Sequence, residues 1–245
     1  MNDVRPVGAS GRIEISVKKK SFRSAAGRDH DVLLDIRFEL APGELTALVA
    51  PSGSGKTTLL KIIAGLDHDF EGYVASSAKR IGVVFQEPRL LPWRSVEDNI
   101  RIAAPQATRP ELDALLRAFH LGEHRRHFPR ELSLGLARRV ALARAFAVRP
   151  DLLLLDEPFV SLDEKLATEL RQELVALVAG RRITSLMVTH DILEAVQLAE
   201  RVIVLDGRPA SIVVDYPISV PRSERTRALV SSIASRIRSR QKTPT

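Results

Sequence analysis

A glycine-rich loop with a single lysine occupies residues 50–60, APSGSGKTTLL. Gly53 and Gly55 have no Cβ, so backbone N–H groups of the loop can turn inward around an anion. Lys56 is placed to reach the β- and γ-phosphates of a nucleoside triphosphate. The apolar run LTALV before the loop predicts a strand, and the residues after it predict a helix whose N-terminal partial charge favours the same anion. The stretch therefore predicts a nucleoside triphosphate site.

Two hydroxyls and one departure complete this loop. Thr57 is predicted to coordinate Mg²⁺, and Thr58 can donate a further hydrogen bond to phosphate. The pattern G-x-x-x-x-G-K-[ST] has glycine where this chain has Ala50, a change that is tolerable unless the backbone there needs a positive φ. The alternative is an ordinary glycine-rich turn with an exposed lysine. The residues predicted to contact the nucleotide are Ala50, Pro51, Ser52, Gly53, Ser54, Gly55, Lys56, Thr57 and Thr58.

Two adjacent carboxylates follow an apolar run in LLLLDEP, residues 152–158. Asp156 at the end of a buried strand can bind the water shell of Mg²⁺, and Glu157 can polarise an attacking water. An Asp-Glu pair is also found in solvated loops and at helix N-caps. The four leucines before it argue against a surface loop.

Apolar runs of strand length alternate with helical patterns along the chain. Leu166, Leu170, Leu174 and Leu177 form one helical stripe, and residues 12–18 alternate apolar and polar side chains like an edge strand. The other predicted strands are 45–49, 81–85, 152–156, 186–189 and 202–205. Most of these are almost wholly apolar, as in a parallel sheet covered on both faces. The pattern predicts an α/β fold, with a helical subdomain inserted at about residues 88–149.

The net charge of +7 is concentrated at one end of the chain. Residues 221–245 contain seven basic residues against the single acid Glu224, and this accounts for six of the seven net charges. A basic tail rather than a basic face disfavours a nucleic-acid partner. The chain has no cysteine, which excludes disulfides and thiolate metal sites. No signal peptide or membrane span is predicted, so we expect a protein that reaches a membrane only through a partner or a surface.

In their order, these motifs resemble those of the ATPase subunits of ABC transporters, over most of the chain. SLD at residues 161–163 is similar to the family's D-loop, VTHD at 188–191 to its switch-histidine motif, and VVFQEPRLLPW at 83–93 to its Q-loop. The resemblance implies a P-loop NTPase core of RecA type with a mostly parallel sheet, an antiparallel β subdomain and an inserted helical subdomain. It places the ATPase domain at residues 1–220 and a partly helical basic tail at 221–245.

The resemblance also implies roles for single residues. His190 would contact the γ-phosphate and hold the attacking water together with Glu157. Gln86 would contact Mg²⁺ and this water, Asp163 belongs to the D-loop, and Phe22 takes roughly the place of the aromatic ring that stacks on adenine. A lone histidine is often structural, a strand-end glutamine is often only polar surface, and an upstream phenylalanine can equally belong to the core.

The family signature LSGGQ is altered here to LSLGL, residues 132–136. In the family two subunits face head to tail, and each signature closes over the ATP of the other. Ser133 and Gly135 keep the hydroxyl and the backbone N–H that would contact the γ-phosphate. Leu134 and Leu136 replace the other glycine and the glutamine, so a side chain stands where the family keeps the loop bare. The alternative is an amphipathic helix with a turn before it and no ligand.

Residues 85–100, FQEPRLLPWRSVEDNI, are most similar to importers of the nitrate, sulfonate and taurine group. The resemblance implies an ATP-bound homodimer, two membrane-spanning permease subunits, an extracytoplasmic solute-binding protein, and a peripheral location on the cytoplasmic face of the cell membrane. The implied ligands are ATP and Mg²⁺. Two alternatives remain: a degenerate ATP-binding module with little turnover, and an ABC-type ATPase with no role in transport.

The altered signature gives the first prediction. A Leu134→Gly variant restores the bare loop, so we expect its ATP turnover to exceed that of the natural chain. A turnover assay on the two purified proteins measures this. The absence of any gain would show that Leu134 imposes no penalty.

Overall fold

A computed structural model describes residues 12–23 and 29–241 of the chain. The fold is α/β, with one antiparallel sheet and one mostly parallel sheet, which confirms the predicted class. The chain forms two compact units, one from residues up to Ser77 together with Thr184 onward, the other from Ala78 to Ile183. None of the helices in the described ranges is long and apolar enough to cross a membrane.

Nine strands and seven α-helices are present in the described residues. The strands are β1 (Ile13–Arg23), β2 (Asp29–Leu40), β3 (Leu45–Val49), β4 (Glu71–Ala75), β5 (Ile81–Val84), β6 (Leu152–Asp156), β7 (Thr184–Thr189), β8 (Arg201–Asp206) and β9 (Ser211–Pro217). The helices are α1 (Lys56–Ile63), α2 (Val96–Arg101), α3 (Arg109–Ala118), α4 (Leu134–Ala147), α5 (Glu164–Arg181), α6 (Ile192–Leu198) and α7 (Arg227–Gln241).

The first unit contains both kinds of strand pairing. β1 lies between β2 and β4 in an antiparallel sheet, while β3 pairs in parallel with β7 and β8, and β9 closes this row antiparallel to β8. β3 and β7 are buried along their whole length, as their apolar sequences require. β2, β4 and β9 were not predicted. In β2 the alternation of Ile36, Phe38 and Leu40 is preceded by the apolar run at residues 32–34, where the buried position shifts to Leu33. This break in the alternation hides the strand from a pattern search.

The helix α7 packs on α6 and β9 of the same unit. It buries Val230, Ile233, Ala234 and Ile237, whereas Leu229 is only half-buried. The buried face is the one that meets α6 and β9, and tertiary packing decides it.

Arginines that precede α7 bind the end of α6. Arg225 donates from Nη1 to the carbonyls of Val196 at 2.8 Å and Ala199 at 2.7 Å, and Arg222 donates from Nε to Leu198 at 2.5 Å. These carbonyls belong to the last turn of a helix, where no later N–H is available to them. Part of the basic tail thus serves as a helix cap.

In the second unit β5 pairs in parallel with β6, and residues 88–149 form helices and loops without a strand. α2 and α4 begin at serine caps, Ser95 and Ser133, whose hydroxyls accept backbone N–H bonds at 3.2 Å. Pro110 lies in the first turn of α3, where a missing N–H costs nothing. These local signals explain why the helices begin where they do.

An ion-pair network joins the helices of this unit. Arg125 contacts both Glu97 of α2 and Asp113 of α3, and Arg101 bonds to Glu97 at 2.6 Å. Hydrogen bonding from Arg125, together with a second bond from Arg101, lowers the pKa of Glu97 from 4.5 to about 2. The ionised carboxylate is therefore preferred in the folded chain.

This shift predicts a pH dependence of stability. Because the pKa of Glu97 in the folded chain lies below its ordinary value, its contribution is fully present above pH 4.5 and is lost as the pH falls towards about 2. In Glu97→Gln this contribution is absent, so unfolding in urea should depend less steeply on pH across that window. Glu123→Gln, which changes an exposed carboxylate nearby, serves as the control. Identical pH profiles for wild type and Glu97→Gln would contradict the prediction.

Candidate active site

The phosphate loop, residues 50–58, follows β3 directly and leads into α1. Gly53 and Gly55 have φ values of 77° and 89°, which an L side chain rarely adopts. Gly55 is the N-cap of α1 and supplies no side chain, so no side-chain cap covers the first N–H groups of the helix. Ala50 is not among the described residues with positive φ. Its methyl group therefore imposes no backbone strain in place of the usual glycine.

The two glycines differ in their surroundings. A Cβ on Gly55 would lie 2.6 Å from Val32 Cγ1 and 2.9 Å from Leu33 Cδ2, whereas a Cβ on Gly53 would meet nothing within 4 Å. Both positions need glycine for the backbone, but only Gly55 also needs it because β2 approaches closely.

The polar groups of the loop suit an anion. Lys56 is only 6% exposed, and its Nζ donates to the carbonyls of Ala50 at 3.0 Å and Pro51 at 2.8 Å. The Ser54 hydroxyl is buried and has no hydrogen-bond partner in the structure. A buried hydroxyl without a partner is costly, and a phosphate oxygen would provide one. The residues present therefore fit a bound nucleotide phosphate.

His190 emerges at the same edge as this loop. β3 and β7 are parallel neighbours with Val49 opposite Thr189, and the N–H of Ala50 donates to the carbonyl of Thr189 at 3.3 Å. His190 is exposed just after β7, and Asp191 caps α6 by accepting from the N–H of Leu193 at 2.8 Å. The first unit thus brings the phosphate loop and the histidine to one edge of its parallel strands.

Phe22 lies in β1, with 46% of the residue exposed. The buried Lys20 places its ammonium 4.7 Å from the centre of the Phe22 ring and also bonds to Asp67 at 3.0 Å. Such a cation–π contact fixes the ring while leaving part of it accessible to a flat ligand.

The second unit brings the carboxylates and Gln86 to one strand edge. β6 is buried along its length and ends at Asp156, which is 3% exposed, and Glu157 follows at 9%. β5 runs parallel to β6 with Val84 opposite Leu155, so the exposed Gln86 leaves the sheet at the same edge. The carboxyl ends of parallel strands are where α/β proteins bind their ligands.

The backbone of Glu157 is strained. Its φ of 45° lies in the left-handed region, which costs an L-residue about 1–2 kcal/mol. Arg138 of α4 donates from Nη1 to the carbonyls of Glu157 at 3.2 Å and Pro158 at 3.0 Å. A strained turn directly at a buried carboxylate is typical of functional sites.

The altered signature, residues 132–136, forms the start of α4. Ser133 caps this helix through its hydroxyl, and Leu134 is 46% exposed. A Cβ on Gly135 would lie 2.2 Å from Leu166 Cδ2 of α5, so this glycine has a packing role as well. Asp163 caps α5 by accepting from the N–H of Leu166 at 3.0 Å. Both polar residues thus have local structural partners.

Two arginines of α4 carry contacts that the sequence did not predict. Besides Arg138, Arg144 donates to the carbonyls of Pro88 at 2.8 Å and Arg89 at 2.9 Å, next to the Q-loop residue Gln86. The only signal was the presence of arginines at intervals in the otherwise small and apolar stretch ARRVALARA. Nothing in that pattern indicates which carbonyls the guanidinium groups reach.

Comparison with known proteins gives consistent matches. The family model described as ABC transporter matches residues 33–160. The "Aliphatic sulfonates import ATP-binding protein SsuB 2" of Pseudomonas syringae pv. tomato is 41% identical over 216 residues, covering 87% of this chain and 91% of the relative. The "Aliphatic sulfonates import ATP-binding protein SsuB" of Bacillus subtilis is 39% identical over 227 residues, covering 87% and 88%.

Solved structures give the same result at lower identity. The dimeric structure of a bacterial ABC transporter cassette aligns with a TM-score of 0.75 and 26% identity, covering 85% of this chain and all of that chain. A dimeric post-hydrolysis state of an ATP-binding cassette bound to ADP and Pi aligns with a TM-score of 0.73, also at 26% identity and with the same coverage.

The contrast between the loop glycines gives a prediction. Gly53→Ala and Gly55→Ala both force alanine into a positive φ, but only the second adds a clash with β2. We expect Gly55→Ala to lower the free energy of unfolding by about 1–3 kcal/mol more than Gly53→Ala, the usual cost of overpacking. Urea unfolding without nucleotide measures the difference. Equal losses in the two variants would show that Val32 and Leu33 yield without cost.

Proposed function

Because this chain belongs to the ABC transporter family, we propose that it is the ATP-hydrolysing subunit of an importer for aliphatic sulfonates. The observation that carries hydrolysis is the buried Glu157 at the end of β6, in a chain that also keeps the phosphate loop and His190. The names of the relatives, at about 40% identity over most of the chain, support the solute class.

The first step is binding of the triphosphate. The backbone N–H groups of the phosphate loop and the N-terminus of α1 carry partial positive charge towards the β- and γ-phosphates. Lys56 adds a full positive charge. Ser54 offers its buried hydroxyl to a phosphate oxygen. Phe22 stacks on the base with the ring face opposite to Lys20. On binding, Lys56 Nζ has to exchange its hydrogen bonds to the carbonyls of Ala50 and Pro51 for bonds to the phosphates.

Thr57, Asp156 and Gln86 would hold a Mg²⁺ ion, which would neutralise charge on the β- and γ-phosphates. All three offer oxygen ligands, the donors that Mg²⁺ prefers. The described residues contain no cluster of three or more His, Cys, Asp or Glu side chains suited to a metal. The ion would therefore depend on this mixed set together with the nucleotide.

Glu157 accepts a proton from the attacking water, whose oxygen forms a bond to the γ-phosphorus as the bond to the β,γ-bridging oxygen breaks. His190 donates a hydrogen bond to a γ-phosphate oxygen and keeps the water in line. The products are ADP and inorganic phosphate.

The altered signature is compatible with a head-to-tail dimer. Ser133 and Gly135 are retained at the start of α4, where the helix dipole favours the partner's γ-phosphate. Leu134 is exposed, so it faces whatever approaches this end of the helix. A slower closure of the dimer is expected from its bulk. A module that binds ATP with little turnover is the second candidate, and the exposed Leu134 is the observation that favours it.

Transport requires partners beyond the dimer. Two permease subunits would carry the membrane path, with a solute-binding protein delivering the sulfonate outside, and the chain would lie peripherally on the cytoplasmic face of the membrane. Trp93 is the last residue of the Q-loop stretch 83–93 and is 68% exposed, which suits an anchor for a permease segment. We propose no nucleic-acid partner, because the basic residues are concentrated in the tail rather than on a broad face.

The decisive test compares ATP hydrolysis by the wild-type chain and Glu157→Gln, with size exclusion of both in ATP and Mg²⁺. We expect wild type to turn over and the variant to lose hydrolysis and accumulate as an ATP-bound dimer, because it binds ATP without a base. Glu123→Gln, at an exposed position, is the matched control and should keep wild-type turnover. A wild type that binds ATP but does not hydrolyse it, with or without the permease, would favour the binding module.

The solute is tested separately with the assembled transporter in vesicles. Uptake of a radiolabelled alkanesulfonate should require ATP and should be lost with Glu157→Gln. ATP-dependent uptake of nitrate but not of the sulfonate would contradict the solute assignment while leaving the ATPase intact.

A further inference from the structure

The helix that begins at the signature also holds the backbone of the proposed catalytic base. We propose that Arg138 is a positioning residue, which fixes the strained turn at Glu157 by donating to two successive backbone carbonyls and so aims the carboxylate. This proposal rests on the proposed function, since it assigns Arg138 a part in ATP hydrolysis.

The contact lies directly on the strained peptide. Glu157 has a φ of 45°, and one nitrogen of Arg138 bonds to its carbonyl at 3.2 Å and to that of Pro158 at 3.0 Å. The carbonyl direction depends on the same backbone angles that set the Cα–Cβ bond of Glu157. Fixing two successive carbonyls therefore fixes the Cα–Cβ bond from which the Glu157 side chain extends. Without these two hydrogen bonds, fewer interactions would offset the strain energy of the left-handed turn.

The burial of Arg138 argues against a role that only links two parts of the fold. The residue is 6% exposed, its Nε has no hydrogen-bond partner, and its Nη1 donates to the carbonyls of Glu157 and Pro158. Burial lowers the pKa of the guanidinium, and the negative charge of Glu157 partly offsets that effect. A cation buried at this position costs more folding free energy than an apolar side chain of similar volume.

The neighbouring arginine shows the structural solution that α4 uses elsewhere. Arg139 is 5% exposed and bonds to both oxygens of Glu173, at 2.7 and 2.8 Å, and to Glu169 at 3.2 Å. Its charge is neutralised by carboxylates of α5, which follow Asp156 and Glu157 later in the sequence. Two adjacent, equally buried arginines thus differ in what they hold, and this makes Arg139 a matched control.

A second clamp on the same helix supports a positioning role. Arg144 bonds to the carbonyl of Arg89, whose φ of 46° is also left-handed, three residues after Gln86. The helix α4 thereby holds one left-handed residue after β5 and one after β6. Ser133 and Arg138 are five residues apart, about 7.5 Å along the helix axis. The signature and the base of one chain are thus joined by a short rigid segment.

Three variants test the proposal through steady-state ATP hydrolysis. Arg138→Met keeps the apolar stem and removes the donors, Arg138→Lys keeps a charged donor, and Arg139→Met removes the neighbour's ion pairs. We expect Arg138→Met to lose roughly ten- to hundred-fold in kcat, the size of effect produced by small misplacements of a reacting group. Its KM for ATP should stay within about two-fold, because the phosphate loop is untouched. Arg138→Lys should recover part of the lost kcat.

A second measurement separates positioning from stability. Arg138→Met should still form the ATP-bound dimer in size exclusion and accumulate it, as Glu157→Gln does. Arg139→Met should unfold at a lower urea concentration yet keep its kcat while folded.

An unchanged kcat in Arg138→Met, or equal losses of kcat in Arg138→Met and Arg139→Met, would overturn the proposal. If Arg138→Met fails to fold, Arg138→Lys decides: a folded lysine variant with wild-type kcat and KM overturns it, and a reduced kcat with unchanged KM supports it. Because wild type and Glu157→Gln are measured in parallel, failure of the ATPase assignment is recognised separately.

Discussion

Parallel strands that end at a common edge are the constraint on which the functional residues depend. In the first unit β3 and β7 deliver the phosphate loop and His190 to one edge, and in the second β5 and β6 deliver Gln86 and the two carboxylates. Each strand is short and largely apolar, so the first polar residues able to meet a ligand lie at its end or shortly after it. Burial of the strands therefore both stabilises each unit and aims its chemistry.

Arginine side chains donate hydrogen bonds to backbone carbonyls at turns and at a helix end in this protein. Arg138 and Arg144 do so at left-handed turns, and Arg225 does so at the end of α6. Burial lowers the pKa of all three guanidinium groups. The planar group has five N–H donors, which suits it to reach several carbonyls from one position. In this protein positive charge is thus used to hold loops as well as to bind anions.

The altered signature acquires a clearer meaning from the structure. Gly135 cannot be changed without pressing on Leu166, whereas Leu134 points to the surface and Ser133 caps the helix. The retained residues are those that the fold of the unit itself requires. Of the two changed residues, Leu134 is the one whose side chain is exposed in the single chain, so its consequences fall on the dimer. The proposed clamp by Arg138 then ties this surface to the base of the same chain.

The sequence alone determined the α/β class, the phosphate loop, the strand-end carboxylates and the order of the motifs. It could do so because these features are local: apolar runs set the strands, and glycine, lysine and acidic residues at fixed spacing set the chemistry. The tertiary structure alone decided the strands β2, β4 and β9, whose pairing is long-range, and the buried face of α7, which its neighbours select. It also decided the roles of Arg138 and Arg144, because the carbonyls that a long side chain reaches are 19 and 55 residues away in sequence. Contacts of that separation leave no pattern in a sequence, since they arise only when distant elements pack together.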